Sequence, residues 1–149
     1  MFIILNISDS DKHFSSAISE YEKRLWKEVS FDTLKPFKDD NHELVIKKET
    51  ESIIKTIEKK YQNYNKLLLA KEWKLLSTEE LWKLIQNKDT VFIIWWPYWV
   101  DRNEIKSRFF DLKEISFGAI TLPHWLAKLV LIEQLYRCKT IEMWKKYHY

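Results

Sequence analysis

Histidine, arginine and a lone cysteine offer the widest chemical range among the 149 residues of this sequence. His13 and His42 lie in polar contexts and read as solvated surface, whereas His124 follows Pro123 at the head of an apolar helical pattern. An imidazole there can exchange a proton near neutral pH or simply cap the helix. His148 follows Tyr147 near the C-terminus, where disorder is the default. Only 4 of the 25 basic residues are Arg, so each Arg stands out. Arg137 falls one turn after Glu133, a spacing that suits an i,i+4 ion pair, although a guanidinium can equally grip a phosphate. Cys138 has no Cys–His arrangement to activate it and reads as a small buried residue. A single Cys also excludes an internal disulfide framework and a cysteine-based zinc site, and no metal site is expected. Neither GxGxxG nor a P-loop is present, so a nucleotide-phosphate site of either standard form is not indicated.

The elements that must position these groups alternate between strand and helix. Apolar runs predict strands over Phe2–Ile7, Lys27–Leu34, Leu67–Ala70, Thr90–Ile94 and Leu112–Phe117. Thr90–Ile94 is continuously apolar, as a strand covered on both faces requires. Between them, helices are expected over Asp9–Leu25, Glu49–Tyr61, Ser77–Gln86, Asp101–Phe109 and Pro123–Thr140. Ser77 followed three residues later by Glu80 is a capping-box signature. This alternation argues for an α/β fold with a parallel sheet flanked by helices, which places ligands outside the carboxyl ends of the strands. Attention falls on the loops after Leu69 and Ile94 and on the segment Phe117–His124.

Length and composition fit one domain spanning 1–149, with 46% hydrophobic and 32% charged residues. No apolar run approaches the roughly 20 residues of a membrane helix, and Met1–Ile7 lacks the basic flank of a signal peptide. A cytoplasmic protein with no membrane partner is expected. The net charge of +3 permits nucleic-acid binding without demanding it, and the Lys47-Lys48 and Lys59-Lys60 pairs read as solvated helix faces.

Three stretches carry a resemblance: Ile120-Thr121-Leu122-Pro123-His124, then Leu131-Ile132-Glu133-Gln134-Leu135-Tyr136-Arg137, then the ending Tyr147-His148. Together with Tyr21-Glu22-Lys23-Arg24-Leu25, they make a chain that resembles, over essentially its full length, the RlmH-type family of ribosomal RNA large-subunit methyltransferases in the SPOUT superfamily. The resemblance implies a C-terminal deep trefoil knot and a homodimer that binds S-adenosylmethionine in the knot. It implies methylation of N3 of a pseudouridine in 23S rRNA on the assembled ribosome. By position, the cofactor pocket would use Leu69, Trp95, Trp96, Phe117, Gly118, Ala119, Ile120, Thr121 and Leu122. The substrate-side candidates would be His124, Arg137, Tyr147 and His148. Methyl transfer to N3 needs in-line positioning and removal of a proton, so His124 and His148 are candidate bases and Arg137 a candidate partner for a phosphate or the developing anion.

One departure is large. The family has a Gly-Gly-x-x-Gly loop after the fourth strand, where this chain reads Trp95-Trp96-Pro97-Tyr98-Trp99. Indoles there would fill a pocket built on bare backbone. The chain has 1 Gly and 8 Trp, against roughly ten Gly expected at this length. Trp26, Trp73, Trp125 and Trp144 also fall at breaker positions, and only Trp82 lies inside an expected helix. We read these tryptophans as glycines of an organism that decodes UGA as Gly, which would give nine glycines in all. The alternative is an authentic Trp-rich, non-catalytic ribosome-binding knot protein whose pocket Trp95 and Trp96 block. The codons for residues 95 and 96 in the source gene are expected to be UGA. UGG at both would make the tryptophans real and favour the binding role.

Overall fold

A computed structural model describes residues 1–9, 14–70, 75–94 and 100–143. Five strands, β1 (Phe2–Ile7), β2 (Val29–Leu34), β3 (Asn65–Leu69), β4 (Thr90–Ile94) and β5 (Lys113–Ile115), alternate with five helices. The helices are α1 (Ser15–Leu25), α2 (His42–Lys60), α3 (Thr78–Ile85), α4 (Arg102–Arg108) and α5 (His124–Glu142). All strand pairs are parallel, in the order β2-β1-β4-β3-β5. The expected α/β architecture is therefore present.

Alternation along the strands divides the core in two. Ile4, Leu67, Phe92 and Ile115 face a layer that holds Ile18, Leu25, Leu81, Ile85, Leu131, Ile132 and Leu135 from α1, α3 and α5. Ile3, Leu5, Leu68, Val91 and Ile93 face Ile53, Ile54, Ile57, Ile105 and Phe109 from α2, α4 and the residue that ends α4. Every residue of β4 is buried, as its unbroken apolar run requires. No described helix is long and apolar enough to cross a membrane.

The boundaries reflect local chemistry. Ser77 Oγ accepts the Glu80 N–H at 3.2 Å while the Glu80 carboxylate accepts the Ser77 N–H at 2.9 Å, which completes the expected capping box. Helix α1 begins later than the sequence suggests. Phe14 occupies its N-cap in a left-handed conformation with no side-chain cap, and residues 10–13 lie outside the described part. Helix α2 begins seven residues before the expected Glu49, because Asn41 caps it by accepting the Glu43 and Leu44 N–H groups. β5 is shorter than expected, although Ser116 still bridges to Leu75.

Three of the eight tryptophans are described, and they differ. Trp26 ends α1 at φ 31° and ψ 100°, with its side chain 74% exposed. Positive φ crowds a side chain's Cβ and favours Gly, and an exposed indole has no packing that offsets the strain. Trp82 instead packs on the α1/α3/α5 core, and Trp125 stacks on Phe14 with ring centroids 5.1 Å apart. The backbone thus supports the glycine reading at 26, while 82 and 125 have ordinary aromatic surroundings. Trp26→Gly is expected to raise stability by about 1 kcal/mol, with a higher urea midpoint and unchanged slope. A lower midpoint would remove the backbone argument.

Candidate functional site

The sheet order decides what meets at the carboxyl edge. β4, β3 and β5 are neighbours, so the chain leaves them at adjacent points. Leu69 lies opposite Ile115 in register, and the Ala70 N–H donates to the Ile115 carbonyl at 2.8 Å. Ile94 closes β4 opposite Asn6. The three segments expected to hold the cofactor, Leu69, the loop opening at 95 and Phe117–Leu122, therefore begin side by side. Trp95 and Trp96 themselves lie outside the described residues, as do Tyr147 and His148.

The exit from β5 has its own geometry. The Gly118 N–H donates to Ser116 Oγ at 3.2 Å, and the Ser116 hydroxyl donates to the Gly118 carbonyl at 3.0 Å. This two-residue link turns the backbone at Gly118, whose φ is +141°. A Cβ built there would meet nothing within 4 Å, so the glycine is needed for its backbone angle and the space beside it is open. Phe117 and Leu122 are half-buried against the core, whereas Ala119, Ile120 and Thr121 are exposed. Half-buried apolar side chains therefore lie beside an open backbone turn, the kind of lining that small-molecule sites use.

Helix α5 carries the remaining candidates. His124 is its first residue, half-buried directly after the Phe117–Leu122 segment and Pro123. Arg137 lies thirteen residues further along the same helix, about 20 Å away at 1.5 Å per residue. One chain therefore does not bring His124 and Arg137 together. Arg137 Nε donates to Glu133 Oε1, the i,i+4 pair that the spacing suggests. Glu133 Oε2 also accepts from Gln134, whose amide oxygen accepts the Thr78 hydroxyl at 2.7 Å. Tyr136 lies 5.8 Å from Tyr21, and the Arg24 guanidinium lies over both rings at 5.6–5.7 Å. The run Glu133–Arg137 thus ties α5 to α3 and α1, whatever else Arg137 does.

Other candidates read as structural. Burial pushes the Cys138 thiol up to about 12, and its Sγ points at the Thr78 carbonyl at 3.6 Å. That keeps it protonated and inert, as expected of a small buried residue. Lys48 pairs with Glu51 and Lys60 with Asp32, so these lysines do lie on solvated helix faces. Lys128 is buried, with its ammonium 4.6 Å from the Phe31 ring centroid. No cluster of three or more metal-ligating side chains occurs among the described residues.

Comparison with known proteins fixes the family. Residues 2–148 match the family model described as "Predicted SPOUT methyltransferase". The chain belongs to the SPOUT methyltransferase family. Its relatives include proteins named ribosomal RNA large subunit methyltransferase H. That of Fusobacterium nucleatum is 36% identical over 147 residues, covering 93% of this chain and 92% of the relative. That of Mycoplasmopsis synoviae is 32% identical, covering 97% and 96%, and that of Lactobacillus helveticus is 37% identical, covering 93% and 92%. A crystal structure of an RNA methyltransferase from Bacillus anthracis superposes with a TM-score of 0.57 at 14% identity, covering 94% of this chain and 95% of that one, a likeness in fold.

Gly118→Ala is expected to cost about 1–3 kcal/mol through backbone strain alone, since the added methyl has room. Chemical denaturation showing no loss would mean that the turn relaxes without glycine.

Proposed function

We propose that this SPOUT protein methylates N3 of a pseudouridine in 23S ribosomal RNA, using S-adenosylmethionine, on the assembled ribosome in the cytoplasm. The observation that carries the reading is the convergence of the β3, β4 and β5 exits at one edge of the sheet. The names of the relatives supply the substrate class. The whole chain would act as one domain, with its C-terminal part threaded as the family's trefoil knot.

The bound donor supplies a methyl group already made electrophilic by its sulfonium. This chain's share is to bind and orient. Leu69, Phe117 and Leu122 offer apolar walls, and Gly118 through Thr121 offer backbone close to the open turn. Residues 95 and 96, read as glycines, would add a second stretch of bare backbone. His124, at the head of α5 beside this wall, would take the N3 proton. Arg137, some 20 Å down the helix, would reach a reacting base held near His124 only from the second subunit of a homodimer. In that arrangement it grips a phosphate or the developing anion, together with Tyr147 and His148. A small basic excess suits docking on a preformed ribosomal surface better than gripping naked RNA.

The sequence as written favours a second reading. Genuine indoles at 95 and 96 would fill the pocket and leave a non-catalytic ribosome-binding protein of the same fold. Calorimetry separates the two. The protein with Gly at all eight Trp positions is expected to bind S-adenosylmethionine, and the protein with Trp95 and Trp96 to bind it at least a hundredfold more weakly, about 2.7 kcal/mol. Equal affinities would remove the argument that indoles block the pocket.

A further inference from the structure

A guanidinium recognises an anion through a fork of N–H donors, so its direction matters as much as its charge. On α5 the direction of Arg137 is set through Glu133, whose Oε1 accepts from Arg137 Nε one turn away. Such an i,i+4 pair is weak by itself, and a carboxylate turns easily about its last bond. Here the carboxylate is tied at its other oxygen, since Glu133 Oε2 accepts from Gln134 Nε2 at 2.8 Å.

That second bond is unusual for a helix. Consecutive residues point about 100° apart round the axis and do not ordinarily face each other. The Gln134 amide reaches back to Glu133 while its oxygen is held from α3, where Thr78 Oγ1 donates to it at 2.7 Å. Thr78 is the first residue of α3, directly after Ser77, whose capping box with Glu80 fixes the opening turn. The Thr78 carbonyl also accepts the Cys138 thiol at 3.6 Å, and Cys138 lies one turn after Gln134 on α5. Two contacts to one residue thus hold the start of α3 against this face of α5. Three hydrogen bonds in series run from Thr78 through Gln134 and Glu133 to the guanidinium.

We propose that Gln134 is a positioning residue for Arg137, with Thr78 as its anchor: together they hold Glu133 so that the guanidinium keeps one orientation toward ribosomal RNA. The inference rests on the methyl-transfer reading, in which Arg137 grips a phosphate or the developing anion. A leucine at 134 is similar in size but has neither donor nor acceptor, so Glu133 and Arg137 lose their common direction. At 78, a valine removes the hydroxyl and a serine keeps it.

The test uses the full chain with Gly at the eight Trp positions. It measures methyl transfer to ribosomes that lack the modification, with calorimetry for S-adenosylmethionine. Gln134→Leu is expected to lower kcat/KM for ribosomes about tenfold and to leave the Kd for the donor unchanged. Thr78→Val is expected to lower kcat/KM about fivefold, and Thr78→Ser to restore it. In an Arg137→Ala background, Gln134→Leu is expected to cost nothing further, because its effect passes through the guanidinium. An equal loss with and without Arg137 would overturn the proposal, since Gln134 would then act through packing alone. So would a Gln134→Leu protein that matches its parent. Where the leucine variant does not fold, the Thr78 variants carry the test, and equal values for valine and serine overturn the proposal. Arg137→Ala matching the parent would remove this role and leave methyl transfer standing. A parent with no methyl transfer overturns the methyl-transfer reading and this role with it.

Discussion

Phe92 and its neighbours Val91, Ile93 and Ile94 leave the middle of the sheet with no face for water, because β4 is paired on both edges and covered on both sides. Covering two faces of a parallel sheet takes crossover helices, and each crossover must carry the chain back to the amino edge before the next strand. The apolar faces of α1, α3 and α5 on one side, and of α2 and α4 on the other, answer that requirement. A consequence is that every strand exit lies on the same edge, where the backbone has left the ladder and is free to meet a ligand. The functional edge is thus a by-product of burying β4.

The Glu133–Arg137 run shows how one stretch can be both diagnostic and structural. Leu135 is wholly buried, Gln134 reaches Thr78, Tyr136 packs on Tyr21 beneath Arg24, and Glu133 holds Arg137. Four of the five side chains bind α5 to its neighbours or to itself, and the fifth fills the core. A half-buried guanidinium held this way keeps its donors in a fixed direction, which is what recognition of a phosphate or an anion requires.

What the sequence disclosed follows the same physics. Phe2–Ile7 and Thr90–Ile94 were legible to the residue because a strand covered on both faces reads as a short, mostly apolar run rich in β-branched residues. The Ser77–Glu80 box was legible because reciprocal capping needs two residue types at one spacing. The first two turns of α2 were not, since Val45 is the only buried apolar side chain among His42–Lys48 and one buried residue sets no helical period. Likewise α1 starts on Phe14, a residue with no capping group to announce it. The positions proposed to hold the donor were named only through family likeness. Their convergence depends on β3 lying between β4 and β5, and hydrophobic periodicity carries no information on strand order.

The pairing of β1 with β4 joins Phe2 to Thr90, and this contact sets an order of events during synthesis. Until the ribosome has delivered residue 94, β1 has only β2 beside it, and one long edge of backbone N–H and C=O groups waits without a strand partner. β4 then enters between two pre-existing strands, satisfies both edges at once and gives the halves of the sheet a shared centre. β5 and α5, with the residues assigned to the substrate, come last and have a finished surface to dock on. The nascent chain is therefore exposed to wrong pairings through most of its elongation, and the final third of the sequence both closes the fold and completes the site.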